Sequence, residues 1–457
     1  MTTATYQEKG LRTRTARPPL VTRPLLLRFA VTLGASISFY LLLSVVPLYA
    51  AAAGASGNAA GLATGALMFA TVAGELVTAR LTARYGYRLA LAAGLILLGA
   101  PALALTGPAN LTVIMAVCIV RGLGFAVTVV AGGAITASLI PAERRGEGLA
   151  LAGVVSGIPA LAALPLGVWL AGRFGTAPVF AAGAVAALAA VAAVPGLPDG
   201  RPARHRPFAR PAAARAAASQ PAAPAAPRQR GPAAAHQPGA EPPLGIVAAL
   251  RTAALRRPAV VFAAITIAAG IIVTFVPLAV TGSASAAVLA LFAQSAAATL
   301  SRCLAGWYGD RHGPARLLIP GLVSASLGML LLALTAVPAA LVAGSLVFGL
   351  GFGAAQNASL SLMYERVPAS GYDAVSALWN LSYDAGMGLG AAGFGLVAGI
   401  TGYPVAFTAV ATAMLIALFP ARRDRVTGHS WRPVTCSPPM TPSPASQNPA
   451  TSGTPGR

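Results

Sequence analysis

Polar positions are scarce along this chain, and the apolar ones do not alternate with them. The apolar residues come in runs of roughly 18–25, the length needed to cross a bilayer core of about 30 Å. About twelve such runs lie near 28–50, 58–81, 87–106, 110–139, 148–172, 176–196, 257–280, 285–305, 315–335, 338–363, 374–399 and 403–420. The pattern predicts an all-α integral membrane protein with about twelve transmembrane helices. The ten-residue alternating segments of a membrane β-barrel are absent. Between the sixth and seventh runs, residues 199–243 are rich in Ala, Pro and Arg and poor in core-forming side chains. Such a segment reads as a disordered cationic linker. The expected division is a basic N-terminus (1–27), a six-helix bundle (28–196), the linker (197–256), a second six-helix bundle (257–420) and a disordered tail (421–457).

Composition agrees with this reading. The chain is 56% hydrophobic and only 9% charged, against about a quarter charged in soluble domains. The net charge of +21 is carried almost wholly by arginine. A basic protein invites a nucleic-acid reading, but the arginines sit in alternate loops. Arg80, Arg84 and Arg88 lie between the second and third runs, Arg144 and Arg145 between the fourth and fifth, Arg311 and Arg316 between the eighth and ninth, and Arg366 between the tenth and eleventh. The termini and the linker add more, whereas the opposite loops carry Arg173 alone. This asymmetry is an orientation signal and a contact with anionic lipid, and it places both termini in the cytoplasm of a cell membrane. No nucleic-acid partner is expected. Cys118, Cys303 and Cys436 are scattered, and so are the four histidines. Neither a disulfide framework nor a metal site is expected, no cofactor is implied, and no G-x-x-x-x-G-K-[ST] loop is present for ATP.

The two halves are copies. "SVVPLYA" (44–50) matches "TFVPLAV" (274–280), "VRGLGFA" (120–126) matches "VFGLGFG" (347–353), and Arg84-Tyr85-Gly86 matches Arg311-His312-Gly313. The offsets are 230, 227 and 227. A six-plus-six parallel repeat of this kind reads as a transporter with its site between the halves.

At "GWYGDRHGPAR" (306–316) the chain resembles the major facilitator superfamily, whose members carry a G-x-x-x-D-R-x-G-R-R loop. Gly306, Asp310, Arg311 and Gly313 match it; Pro314 and Ala315 replace basic positions, and Arg316 restores a charge. The N-terminal copy keeps Arg84, Gly86 and Arg88 but has Ala79 and Ala83 for the glycine and the acid. "VCIVRGLGFA" is similar to the family's fourth-helix motif, with Arg121 at its arginine. "GVVSGIPALAALPLG" (153–167) partly matches the fifth-helix motif of the proton antiporters, with Gly153 and Gly157 in place and Pro159 one step late. The resemblance covers residues 25–420 and implies the major facilitator fold. It also implies a gate in which Asp310 caps the start of the fifth helix near Gly146–Gly148, and a proton-relaying role for Arg121. Without the resemblance, the glycines serve tight turning and close packing, and Arg311 and Arg316 pin the loop at the membrane face.

Ionisable groups at membrane depth cost about 2.5–3.5 kcal/mol on insertion scales, so each one is informative. Asp384 lies mid-helix in "NLSYDAGMGLG", four residues after Asn380 and so on the same face. Desolvation there favours its protonated form, as a proton carrier requires; the competing reading is a hydrogen bond that joins helices. Glu75 lies about 13 Å of helix from Arg84 at 1.5 Å per residue. Its repeat equivalent is Arg302, 227 positions on, which suggests an acid–base pair across the halves, with local pairing as the alternative. Arg121 is the expected counter-charge within the first half, or else a satisfied structural arginine. Asn380, Tyr383, Gln356, Asn357 and Arg302 are candidates for substrate contact, with Gln356 and Asn357 equally able to hold helices together. Tyr40, Trp169 and Trp379 either line a cavity or belong to the interfacial belt.

The expected function is a proton-coupled secondary transporter working by alternating access as a monomer. It is expected to export a small amphipathic drug-like or natural-product molecule. The alternatives are an uptake permease of the same fold for a sugar or organic acid, and a non-transporting membrane sensor. An integral membrane enzyme would need clustered histidines or acids near a membrane face, and none is seen in the sequence.

Overall fold

The computed structural model describes residues 19–54, 57–141, 144–198, 246–280, 284–368 and 371–427. Among these, twelve helices are long and apolar enough to cross a membrane. In chain order they are α1 (Arg23–Gly54), α2 (Gly57–Tyr85), α3 (Tyr87–Thr106), α4 (Leu111–Leu139), α5 (Arg145–Phe174), α6 (Thr176–Gly196), α7 (Ala253–Ala279), α8 (Ala284–His312), α9 (Ala315–Leu332), α10 (Pro338–Tyr364), α11 (Tyr372–Thr401) and α12 (Tyr403–Arg423). No strand occurs among the described residues. Every apolar run became a helix.

The helices outlast the runs where polar residues follow. α8 continues seven residues past 305, to His312. The 306–316 stretch is therefore mostly helix, and its turn is confined to Gly313 and Pro314. The expected linker and tail are also shortened. A six-residue helix, Ile246–Arg251, precedes α7, which itself starts at Ala253, and helix continues beyond α12 to Thr427. Residues 199–245 and 428–457 lie outside the described residues.

Four glycines have positive φ: Gly86 (83°), Gly175 (82°), Gly313 (86°) and Gly402 (79°). They form two pairs, each 227 positions apart. Only glycine takes this conformation freely, and here it lets one helix stop and the next begin almost at once.

Close packing repeats with the same spacing. A Cβ added at Gly122 would sit 2.2 Å from the Leu67 carbonyl oxygen, and one at Gly349 would sit 2.4 Å from that of Gln294. Gly94 and Gly124 bring α3 against α4, as Gly321 and Gly351 bring α9 against α10. Small residues let backbones touch where lipid supplies no hydrophobic drive between helices. α1–α6 pack largely among themselves, and so do α7–α12. The halves meet mainly where α2 faces α11 and where α5 faces α8, with α7 reaching α1 and α2.

Candidate functional site

Pro277 has no N–H, so the carbonyl four residues earlier loses its helical partner. That carbonyl, on Val273, accepts the Ser44 hydroxyl of the other half at 2.9 Å. One residue on, Thr274 and Thr64 of α2 share a buried hydrogen bond of 2.9 Å. Beside them α2 and α11 touch through small residues. A Cβ on Gly61 would come 2.3 Å from the Ala391 carbonyl oxygen, and one on Gly395 would come 3.1 Å from that of Gly57. All these contacts lie toward the arginine-poor end. Sequence reasoning missed Ser44, Thr64 and Thr274 as contacts between the halves. The signal was present, because Ser44 and Thr274 occupy equivalent places in the repeated "VPL" segments.

At mid-depth the carboxyl groups of Glu75 (α2) and Asp384 (α11) meet within hydrogen-bonding reach. Asp384 is buried and Glu75 half-buried. No ion pair joins Glu75 to Arg302 among the described residues, which corrects the expected pair across the halves. Arg302 of α8 instead donates to Gln356 Oε1 at a long 3.4 Å. Tyr40 and Tyr383 lie within electrostatic range of both Arg302 and Asp384. Five side chains from both halves therefore gather: Tyr40, Glu75, Arg302, Tyr383 and Asp384. Trp379 and Tyr383 extend the group as an aromatic wall on α11, with Trp379 stacked on Phe262 at 4.7 Å. Asn380 is half-buried one turn before Asp384, and Asn357 lies against Gly306, 3.4 Å from where a Cβ there would stand.

Arg121 stands apart from this group. Its guanidinium donates to the Leu98 carbonyl at 2.6 Å and the Ser38 carbonyl at 3.0 Å, both within the first half. It meets backbone rather than an acid. A small cavity beside it, also lined by Phe39, Thr64 and Cys118, lies in the first half. Trp169 is half exposed near the end of α5, edge-on to Phe174, in a belt position.

At the arginine-rich end Arg84, Arg88 and Arg311 each contact their own half. Arg88 donates to the Leu197 carbonyl, Arg84 lies over the Tyr85 ring, and Arg311 stacks over Trp307 at 3.9 Å. Asp310 is exposed. Its near neighbour is Glu365, just past α10. Desolvation raises the Glu365 carboxyl above its ordinary range; Arg366 opposes this, and Asp310, the smallest of the three influences, adds to it. Among the described residues no group of three or more His, Cys, Asp or Glu side chains could hold a metal.

The family model described as the Major Facilitator Superfamily matches residues 28–284 and 258–444. No curated protein matches the sequence. Among solved structures, the peptide transporter POT in complex with sulfate is 16% identical with a TM-score of 0.69, covering 90% of this chain and 97% of its own. The nucleoside transporter NupG is 15% identical with a TM-score of 0.63, covering 89% and 99%. A bacterial homolog to the human lysosomal transporter Spinster, in an inward-facing and unoccupied conformation, is 13% identical with a TM-score of 0.65, covering 90% and 98%. At these identities the likeness is one of fold.

Proposed function

Because the chain belongs to the major facilitator superfamily, we propose that it is a proton-coupled secondary transporter of a small molecule. It exports an amphipathic drug-like or natural-product compound across the cell membrane, acting as a monomer. The arginine-rich face is cytoplasmic. One observation carries the coupling: Glu75 and Asp384, one from each half, meet carboxyl to carboxyl at mid-depth. Two carboxylates in contact repel strongly in a poorly solvated site, so a touching pair shares a proton. When both ionise, the contact between α2 and α11 turns repulsive, and the halves are driven apart. Protonation state is thereby linked to which end of the cleft is open, as alternating access requires.

The contacts at the arginine-poor end support a state closed there. At the other end, Arg84, Arg88 and Arg311, each in contact with its own half, support a state free to open. In this scheme Asp310, Arg311, Gly306 and Gly313, with Arg84, Gly86 and Arg88, form the cytoplasmic gate of the alternate state. Gln356, Asn357, Asn380 and Tyr383 contact substrate. Arg121 holds the first half rigid around its side of the cleft.

The test uses everted vesicles carrying a respiratory pH gradient and a panel of dyes, antibiotics and sugars. A compound that dissipates the gradient with wild type, but not with Asp384→Asn or Glu75→Gln, identifies the substrate class and the coupling pair together. If compounds that dissipate the gradient with wild type do so equally with both variants, the pair is structural and the coupling proposal fails.

A further inference from the structure

The mid-depth site has a hidden asymmetry, and it names the substrate's chemistry. The 227-residue repeat relates α2 to α8 and α5 to α11, so the α2–α11 and α5–α8 crossings are repeat equivalents of each other. Glu75 maps onto Arg302, and Asp384 maps onto Gly157. The depths agree. Glu75 and Arg302 each lie ten residues before the ends of their helices, at Tyr85 and His312. Asp384 and Gly157 each lie twelve residues after the starts of theirs, at Tyr372 and Arg145.

The structure brings both equivalent pairs together. At the first crossing Glu75 meets Asp384. At the second, the atom nearest to a Cβ built on Gly157 is Arg302 Nη2, at 3.5 Å, with no other atom within 4 Å. Where the first crossing supplies a carboxyl, the second supplies only hydrogen. Arg302 is half-buried, at membrane depth, and has no carboxylate partner among the described residues. Its hydrogen bond to the Gln356 side chain is long, at 3.4 Å. A guanidinium carries five donors in a planar fork suited to bidentate recognition of an oxyanion. A half-met guanidinium at this depth is costly unless something anionic completes it.

We infer that the substrate carries an anionic group, a carboxylate or an oxyanion of similar shape, which seats against Arg302 beside Gly157 where the repeat places no side chain. The inference rests on the transporter reading above and names the substrate class of that same site. The rest of the molecule lies along the aromatic wall of Trp379 and Tyr383, whose rings are 6.0 Å apart, so the compound is an organic anion with a flat apolar body. Neutral sugars and simple cations do not fit this chemistry. Gly157 is a specificity device, because any side chain there would occupy the space the anion uses.

The test titrates the full-length purified protein with three matched probes: 2-naphthoate, the neutral 2-naphthamide and the cationic 2-naphthylmethylammonium. Tryptophan fluorescence and thermal unfolding are read in parallel. Wild type should bind the carboxylate at least about tenfold more tightly than the amide, the scale of a hydrogen-bonded charge contact. Arg302→Gln should remove the preference, and Arg302→Lys should keep part of it. Gly157→Asp should place the missing carboxyl opposite Arg302, abolish anion binding and leave the fold intact. If Arg302→Gln does not fold, Gly157→Asp decides the matter. Equal binding of carboxylate and amide to wild type, binding of neither, a preference for the ammonium, or a preference that survives Gly157→Asp overturns the inference. The two readings fail separately. Proton flux that depends on Asp384 without anion preference sinks this one alone, whereas Arg302-dependent anion binding without such flux sinks the coupling reading alone.

Discussion

The interior of each half and the surface between the halves are built from different chemistry, and two arginines show it. Arg121, inside the first half, is 2% exposed. Two carbonyls from two other helices hold it, at 2.6 and 3.0 Å. Arg302, at the surface between the halves, is half-buried, with one side-chain partner at 3.4 Å. The first is fixed by backbone that does not move within its half. The second has most of its donors without a partner among the described residues. The lesson is that a charge at membrane depth is not in itself a functional charge; its partners decide.

Substitutions that exchange these roles test the contrast. Arg121→Gln should cost about 3 kcal/mol or more, because a buried charged hydrogen-bonding group is lost and two carbonyls are orphaned. Arg302→Gln should cost less than about 1 kcal/mol. Thermal unfolding of the purified variants reads both, and a reversed order would break the comparison. Next in size is Gly61→Leu, which pushes a side chain into the Ala391 carbonyl across the surface between the halves. Closure at the arginine-poor end should fail, and a cysteine placed at Thr64 should become several-fold more reactive to a water-soluble maleimide. Unchanged labelling would mean that this contact does not seal the cleft. Smaller still is the Thr64–Thr274 bond. A double-mutant cycle with valine at both positions should return a coupling near 0.6 kcal/mol, typical between membrane helices, and a value near zero would remove it from the seal. The least effect belongs to Asp310→Asn. A carboxyl raised in the folded state adds stability at low pH that is lost as pH rises through the folded value. Removing Asp310 should lessen that loss at Glu365 by under about 0.5 kcal/mol at this exposed site. Stability curves between about pH 4 and pH 8 would show it.

Much of the fold was legible because membrane crossing is written in run length. All twelve helices lie where the apolar runs lie, and the repeat could be read from "VPL", "GLGF" and the Arg-x-Gly turns. Helix ends were less legible, since Gly306–His312 stays helical although it is polar and glycine-framed. The candidate residues at membrane depth could be picked out singly in the sequence but not as pairs. Depth along one helix can be counted from the sequence, whereas which helix stands opposite depends on how the halves dock. Glu75 and Arg302 sit at equal depth, which made them a plausible pair, yet docking sets each against a residue of its own crossing, on a helix of the opposite half. Gly157 was legible only as a glycine of the partly matched fifth-helix motif, because nothing in the sequence shows that it stands beside Arg302.

The seal at the arginine-poor end has an energetic consequence for a machine that must cycle. It is made of two hydroxyl hydrogen bonds and touching backbones, with no ion pair across the halves among the described residues. Hydrogen bonds of this kind between membrane helices average about 0.6 kcal/mol each. One elementary charge falling through 100 mV releases about 2.3 kcal/mol. In the proposed proton-coupled cycle, these two hydrogen bonds together are weaker than one such charge movement, so they do not strand the cleft shut.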